Sequence, residues 1–241
     1  MKEKRLALLT LAALFSAGLF AAHARPQAPA KQPSAKPGIN DTWKSDNIEP
    51  LVGMLETESR EIFHERENLA GIVGVRPGSA VADVGAGSGF MTLLFARQAG
   101  PSGKVYAVDI NAKLLERVQS LARQQGLANV QSVLAKDDSA ELPPNSVDLV
   151  FICDTYHHFE YPLSTLRSLH RALRPGGQMV IVDFKREPGV TSERMMEHVR
   201  AGEEVFTREI TSAGFELTNI HNAAWLKENY ILRFRKLEKP N

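Results

Sequence analysis

The sequence predicts an α/β protein built on a mainly parallel sheet with helices on both faces. Three observations carry this. Between Ala80 and Asp183, short apolar runs alternate with longer stretches of helical periodicity. The first run holds Asp83 and passes through Gly85, Gly87 and Gly89 straight into a helical pattern. Strand, tight loop and helix start in that order are how such sheets hold nucleotide-like ligands. After the last helical stretch, two runs of β character close the chain.

The chain begins with three parts of a secretory signal. Lys2, Lys4 and Arg5 form a basic start, Leu6 to Ala22 is apolar and uncharged, and Ala22-His23-Ala24 fits the small-x-small cleavage rule. Residues 1–24 therefore read as a signal peptide cleaved after Ala24, with export to the periplasm. The alternative is retention as a single N-terminal membrane anchor, for which the apolar run is slightly short. Residues 25–39, with Pro26, Pro29, Pro33 and Pro37, read as an extended linker with nothing to bury. Residues 40–74 read as a helical cap, in which Leu51, Leu55, Ile62, Leu69 and Val73 recur closer to every 3.6 than every second residue.

The main domain, 75–237, follows. Strands are expected at 80–84, 104–109, 130–134, 147–153 and 178–183, and helices at 90–99, 112–125, 162–174 and 192–213. In the second of these helices Leu114, Leu115, Val118, Leu121 and Ala122 share a face, and Gly126 supplies the stop. Repeated strand–helix units make the sheet parallel. Phe215 to His221 and Tyr230 to Arg235 read as a closing pair joined by a short loop. The net charge is +1 and no basic stripe stands out, which argues against a nucleic-acid partner. Cys153 is the only cysteine, so an intramolecular disulfide is excluded. There are no internal repeats.

The candidate ligand residues lie at strand ends. The glycines read G-x-G-x-G, not the G-x-G-x-x-G of a dinucleotide loop, and Asp83 stands two residues before the first. Asp83 can face the ammonium end of an amino-acid ligand. Asp109 lies 20 residues after Gly89 and ends the second strand, where a carboxylate can accept both ribose hydroxyls of a nucleoside. Capping the helix from Ala112 is a compatible second role. Asp154, Thr155, Tyr156, His157 and His158 follow the fourth strand and approach the same cleft. His157 and His158 are candidate bases because imidazole titrates near neutrality.

The string Asp83-Val84-Gly85-Ala86-Gly87-Ser88-Gly89 resembles the first motif of class I S-adenosylmethionine-dependent methyltransferases. The Asp148-Leu149-Val150 strand, the His157-His158 step and Leu173-Arg174-Pro175-Gly176-Gly177 resemble the ubiquinone/menaquinone-biosynthesis type of that class. The resemblance covers about 71–235. It implies a Rossmann-like sheet of seven strands, mostly parallel, with a C-terminal antiparallel hairpin that a dinucleotide-binding domain lacks. It implies S-adenosyl-L-methionine as cofactor, held by Asp83, Gly85, Ala86, Gly87, Gly89, Asp109, Ile110, Asp138, Ser139 and Asp154, with Asp138 matched to the adenine position. The implied activity is methyl transfer to a small-molecule acceptor, with His157, His158 and Tyr156 as catalytic candidates. Matching the His-His step turns His157 to the acceptor and His158 into the following helix. No metal ligand set is assigned, because Asp183 is followed by Phe184 rather than the Asn of catechol-type metal enzymes. Trp43, Tyr161, His198 and Trp225 can line an acceptor pocket, though core packing suits each as well. Two other functions compete: an exported nucleoside-binding module without turnover, and an NAD-type oxidoreductase.

Export has a direct check. Mass spectrometry of protein from the periplasmic fraction should give a mature N-terminus at Arg25. A soluble cytoplasmic protein that keeps Met1 would remove the signal.

Overall fold

A computed structural model describes residues 33–58, 60–189 and 191–238. The signal peptide and residues 25–32 of the linker lie outside the described residues. Among the described residues three α-helices precede the sheet: α1 (Glu49–Leu55), α2 (Glu61–His64) and α3 (Arg66–Val73). The alternating part runs β1 (Ala80–Val84), α4 (Phe90–Ala99), β2 (Lys104–Asp109), α5 (Ala112–Gln124), β3 (Val130–Leu134), β4 (Val147–Cys153), α6 (Pro162–Ala172) and β5 (Leu173–Phe184). Then come α7 (Glu193–His198), α8 (Glu203–Ser212), β6 (Phe215–His221) and β7 (Asn229–Lys236).

The seven strands form one sheet in the order β3-β2-β1-β4-β5-β7-β6. Pairings from β3 to β5 are parallel, and β7 runs antiparallel to both β5 and β6. This is the Rossmann-like sheet with its antiparallel closing pair. Side chains alternate across it. Val81, Phe151, Val180 and Val182 pack on one face with α3, α4 and α5. Ala82, Val84, Val150, Ile152 and Ile181 pack on the other with α6 and α8. The central strands are buried on both faces, which explains their continuous apolar runs. Phe95 meets Phe151 edge to face at 5.1 Å, which locks α4 to β4.

Strand order reverses between β1 and β4, so the carboxyl ends of β1, β2, β4 and β5 open onto one crevice. Two segments lie over it. The cap helices are tied down through Glu61, whose carboxylate accepts N–H bonds from Lys227, Glu228 and Asn229 at the start of β7. The stretch from Ser34 to Ser45 forms a strap. Ala35 N–H donates to Glu160 O, Lys36 Nζ donates to the Glu197 and His198 carbonyls, and Asn40 donates to His158 O. The last part of the expected linker is thus bonded to the domain rather than free.

Three expectations are corrected. The helix expected at 192–213 is two helices, α7 and α8. Gly202 is a poor helix former, and Arg200 between them turns inward to pair with Glu209 at 2.6 Å. The strand expected from 178 begins at Leu173, with pairing that jumps from Val147–Leu173 to Leu149–Gln178. The N-cap of α5 is Asn111, not Asp109. Asn111 Oδ1 accepts from Lys113 and Leu114 N–H, while its Nδ2 donates to the Trp43 and Ser45 carbonyls at 2.7 and 2.8 Å.

One amide thus caps a helix and pins the strap. Asn111→Ala should lose about 1–3 kcal/mol in urea denaturation, for a cap and two strap bonds together. Asn111→Asp keeps the acceptor and should recover only the cap share. Recovery of the whole loss in Asn111→Asp would mean that the strap bonds add nothing.

Candidate active site

Strand β1 delivers Asp83 to the crevice, and the glycine loop then folds against the end of β2. Gly85 and Ala86 N–H both donate to Val108 O. Gly87 N–H donates to Asp109 Oδ2 at 2.9 Å, and Asn111 N–H donates to Asp109 Oδ1 at 2.9 Å. The Asp109 carboxylate therefore joins the two loops and keeps a second lone pair on each oxygen for a ligand. The glycines are needed. Gly85 has φ +75°, and a Cβ there would lie 2.2 Å from Thr155 Oγ1. Gly87 has φ +54°, and its Cβ would lie 2.8 Å from Leu55 Cδ1 of α1. Gly89 faces Val118 of α5 instead, so it serves the start of α4 rather than the cavity.

Asp83, Gly85, Ala86, Gly87, Asp109, Ile110, Ser139 and Asp154 all line one cavity of about 760 Å³. That lies within the usual range for small-ligand sites, about 300–1,000 Å³. The cavity wall carries Asp137 and Ser139, not the Asp138 matched to the adenine position. Asp137 pairs with Lys44 of the strap at 2.9 Å. Asp154 adopts φ +46°. It accepts from Arg60 at 2.6 Å and from Asn229 at 2.5 Å. Arg60 is on the cavity wall as well, and no motif in the sequence singled it out.

His157 and His158 follow β4 in one 3-10 turn and both line the cavity. With three residues per turn, neighbouring side chains diverge by only about 120°, so both can face one space. The expectation that only His157 does so, with His158 turned into α6, is corrected. His158 packs edge-on against Trp43 and lies 3.3 Å, Nε2 to Nε2, from His198 of α7. Burial pushes its pKa down to about 2, with His157 and His198 adding to the shift. His157 Nδ1 pairs with Asp183 Oδ1 at 2.7 Å, and its N–H donates to Asp183 Oδ2 at 3.1 Å. With Nδ1–H donating to the Asp183 carboxylate, the Nε2 lone pair is free. Asp183 sits at the carboxyl end of β5, the position that could have flagged it. Tyr156 is corrected too. It is buried on the far side of the turn, and its OH donates to Glu209 at 2.9 Å. Trp43 and His198 line the cavity; Tyr161 and Trp225 do not.

Burial shapes the electrostatics of the cavity. Burial pushes the Asp83 pKa up to about 7, opposed by the bond from Thr92 Oγ1 at 2.6 Å and reinforced by the nearby Asp109. Burial raises Asp109 as well, against the N–H bonds it accepts, and raises Asp154 against the pull of Arg60. A pocket with desolvated carboxylates favours a cation. S-adenosylmethionine fits: it carries a sulfonium and an ammonium near one end and two ribose hydroxyls near the middle. Asp83 and Asp109 line the same cavity as the glycine loop, and carboxylates can accept from an ammonium or from ribose hydroxyls.

Fold, glycine loop and strand-end acids together define a class I S-adenosylmethionine-dependent methyltransferase. The model of a family described as methyltransferase domain matches residues 76–235, and the chain belongs to that family. A ubiquinone/menaquinone biosynthesis C-methyltransferase UbiE of Ectopseudomonas mendocina is 29% identical over 66% of this chain and 67% of its own. Its counterpart from Hahella chejuensis is 36% identical over 47% of this chain and 46% of its own. After the first, the chain spans about half the length of the curated relatives it matches. A crystal structure of an S-adenosylmethionine-dependent methyltransferase from Aquifex aeolicus superposes with a TM-score of 0.68 at 27% identity, over 77% of this chain and 97% of that one. The cyclase SpnF shares the fold at 21% identity and a TM-score of 0.60, over 71% of this chain and 80% of that one. Among the described residues, no helix is long and apolar enough to cross a membrane.

The raised Asp83 pKa gives a signed prediction. As pH rises from about 4 to about 7, the ligand-free fold loses stability through this group, because the unfolded chain releases the proton first. A cationic ligand prefers the ionised form. S-adenosylmethionine should therefore bind about tenfold more weakly at pH 6 than at pH 8. In Asp83→Asn most of that dependence should vanish. A pH-independent affinity in the parent would detach Asp83 from the ligand.

Proposed function

We propose that this protein methylates a small hydroxylated aromatic molecule, and that His157 takes the proton which the acceptor must lose. The observation that carries this reading is the buried Asp183–His157 pair on a cavity wall beside Trp43, Phe159, Phe184 and Met195. An apolar, aromatic wall suits a planar acceptor. The similarity to proteins named as ubiquinone/menaquinone C-methyltransferases supports an acceptor of quinol character. Export to the periplasm belongs to the same proposal and rests on the first 24 residues.

When bound, the cofactor supplies an electrophilic methyl group on a sulfonium that leaves as a neutral thioether. The protein therefore has no leaving-group anion to stabilise. Its tasks are alignment, exclusion of water and removal of one proton. Leu55 of α1 and Trp43 of the strap cover the cavity. Asp183 holds the His157 ring in one tautomer and stabilises the imidazolium formed when Nε2 accepts the phenolic proton. The oxyanion left on the acceptor raises the nucleophilicity of its oxygen and of the ring carbon beside it.

With labelled methyl donor, EDTA present and a panel of phenols and a demethylated quinol as acceptors, His157→Ala should lower turnover about 10²–10⁴-fold. Affinity for S-adenosylhomocysteine should stay within about twofold, because the His157 partner is the acceptor. Asp183→Asn should lose turnover in the same direction. Full activity of His157→Ala from pH 5 to 8 would remove the base.

A further inference from the structure

The break between α7 and α8 has a chemical result. It leaves His198 at the end of α7, beside His157 and His158, two elements away in sequence. Ring centroids are 4.3 Å apart for His157–His158, 5.1 Å for His157–His198 and 5.0 Å for His158–His198. One nitrogen from each ring lies within 4.8 Å of the other two.

We propose that His157, His158 and His198 form a three-imidazole site for a divalent transition-metal ion of the zinc class, with its fourth position open to the cavity. The spacing supports this. Two nitrogens each about 2.0–2.1 Å from a shared tetrahedral ion stand about 3.3–3.4 Å apart. The Nε2 atoms of His158 and His198 stand 3.3 Å apart, long for a hydrogen bond and right for such an edge. The three donor atoms lie within 4.8 Å of one another, so loading draws the rings together.

The surroundings set the tautomers that a metal requires. Asp183 accepts a hydrogen bond from His157 Nδ1–H, so Nε2 is the free donor, and a carboxylate behind a histidine is the usual support of a metal ligand. His158 Nδ1 is buried without a well-formed hydrogen bond among the described residues, and the Ile39 carbonyl is its polar neighbour. A proton on that nitrogen leaves Nε2 bare. Lys36 and Arg194 face the cluster with positive charge, and Asp183 opposes them. Three nitrogen donors and no thiolate select zinc, copper, nickel or iron over magnesium or calcium.

Ion binding does not depend on the methyl-transfer reading, but its use does. A phenol entering the fourth position would bind as the phenolate and release its proton to solvent. With the ion bound, the His157 lone pair is committed and the ion takes over acidifying the acceptor.

The test uses the purified full chain, stripped with EDTA and titrated with Zn²⁺ and, separately, Co²⁺. One ion per chain should bind, and Co²⁺ should give the visible ligand-field bands of a four-coordinate ion. His198 is only partly buried, on a short helix, so His198→Ala should keep the melting temperature of the stripped parent while losing both signals. Asp183→Asn should weaken Zn²⁺ binding about 10–100-fold. No binding by the parent, or an unchanged Co²⁺ spectrum in His198→Ala, would overturn the site. Titration of the same stripped sample with S-adenosylhomocysteine reads the methyltransferase assignment separately.

Discussion

Four buried carboxylates at one edge of the sheet set the terms for the rest of the molecule. Each of the four central parallel strands carries an aspartate at its carboxyl end: Asp83 on β1, Asp109 on β2, Asp154 just past β4 and Asp183 on β5. All are removed from water, and an unpaired buried charge is costly. Each has its own compensation. Thr92 serves Asp83, two backbone N–H groups serve Asp109, Arg60 and Asn229 serve Asp154, and His157 with Phe184 N–H serves Asp183. The least compensated is Asp83, and it is the one that a cationic ligand would satisfy.

The segments over the sheet follow from this arrangement. Arg60 reaches Asp154 only because the cap is anchored through Glu61 to the start of β7. That anchoring brings Leu55 over Gly87, in space that a side chain on the loop would fill. The strap is held at both ends of the cavity, by Lys36 at α7 and by Asn111 and Asp137 near β2 and β3. Trp43 is thereby set against His158. The acceptor side is thus built largely by segments outside the sheet, while the cofactor side is built by the sheet itself.

That division explains what could be read from the sequence. Strands β1, β2, β4 and the second half of β5 were legible because apolar runs closed by acids and glycines are dictated by local chemistry. Gly85, Gly87 and Asp109 were legible for the same reason. Arg60, Asp137 and Asn111 were not, since their roles depend on contacts with distant segments. Tyr156 and His158 were misread because a 3-10 turn redistributes three adjacent side chains in a way that a motif does not encode. His198 stood in an apparently continuous helical pattern. Its place by the other two histidines needs the turn at Gly202 and the inward Arg200–Glu209 pair, both tertiary effects.

The central claim is that the crevice at the carboxyl edge is an S-adenosylmethionine site organised by Asp109. Calorimetric titration of parent and Asp109→Ala with S-adenosylhomocysteine and with NAD tests it most directly. The parent should bind one S-adenosylhomocysteine per chain and give no heat with NAD, and the variant should lose roughly 1.5–3 kcal/mol, the range for hydrogen bonds to a charged group. Binding of NAD, or equal S-adenosylhomocysteine affinity in parent and variant, would contradict it.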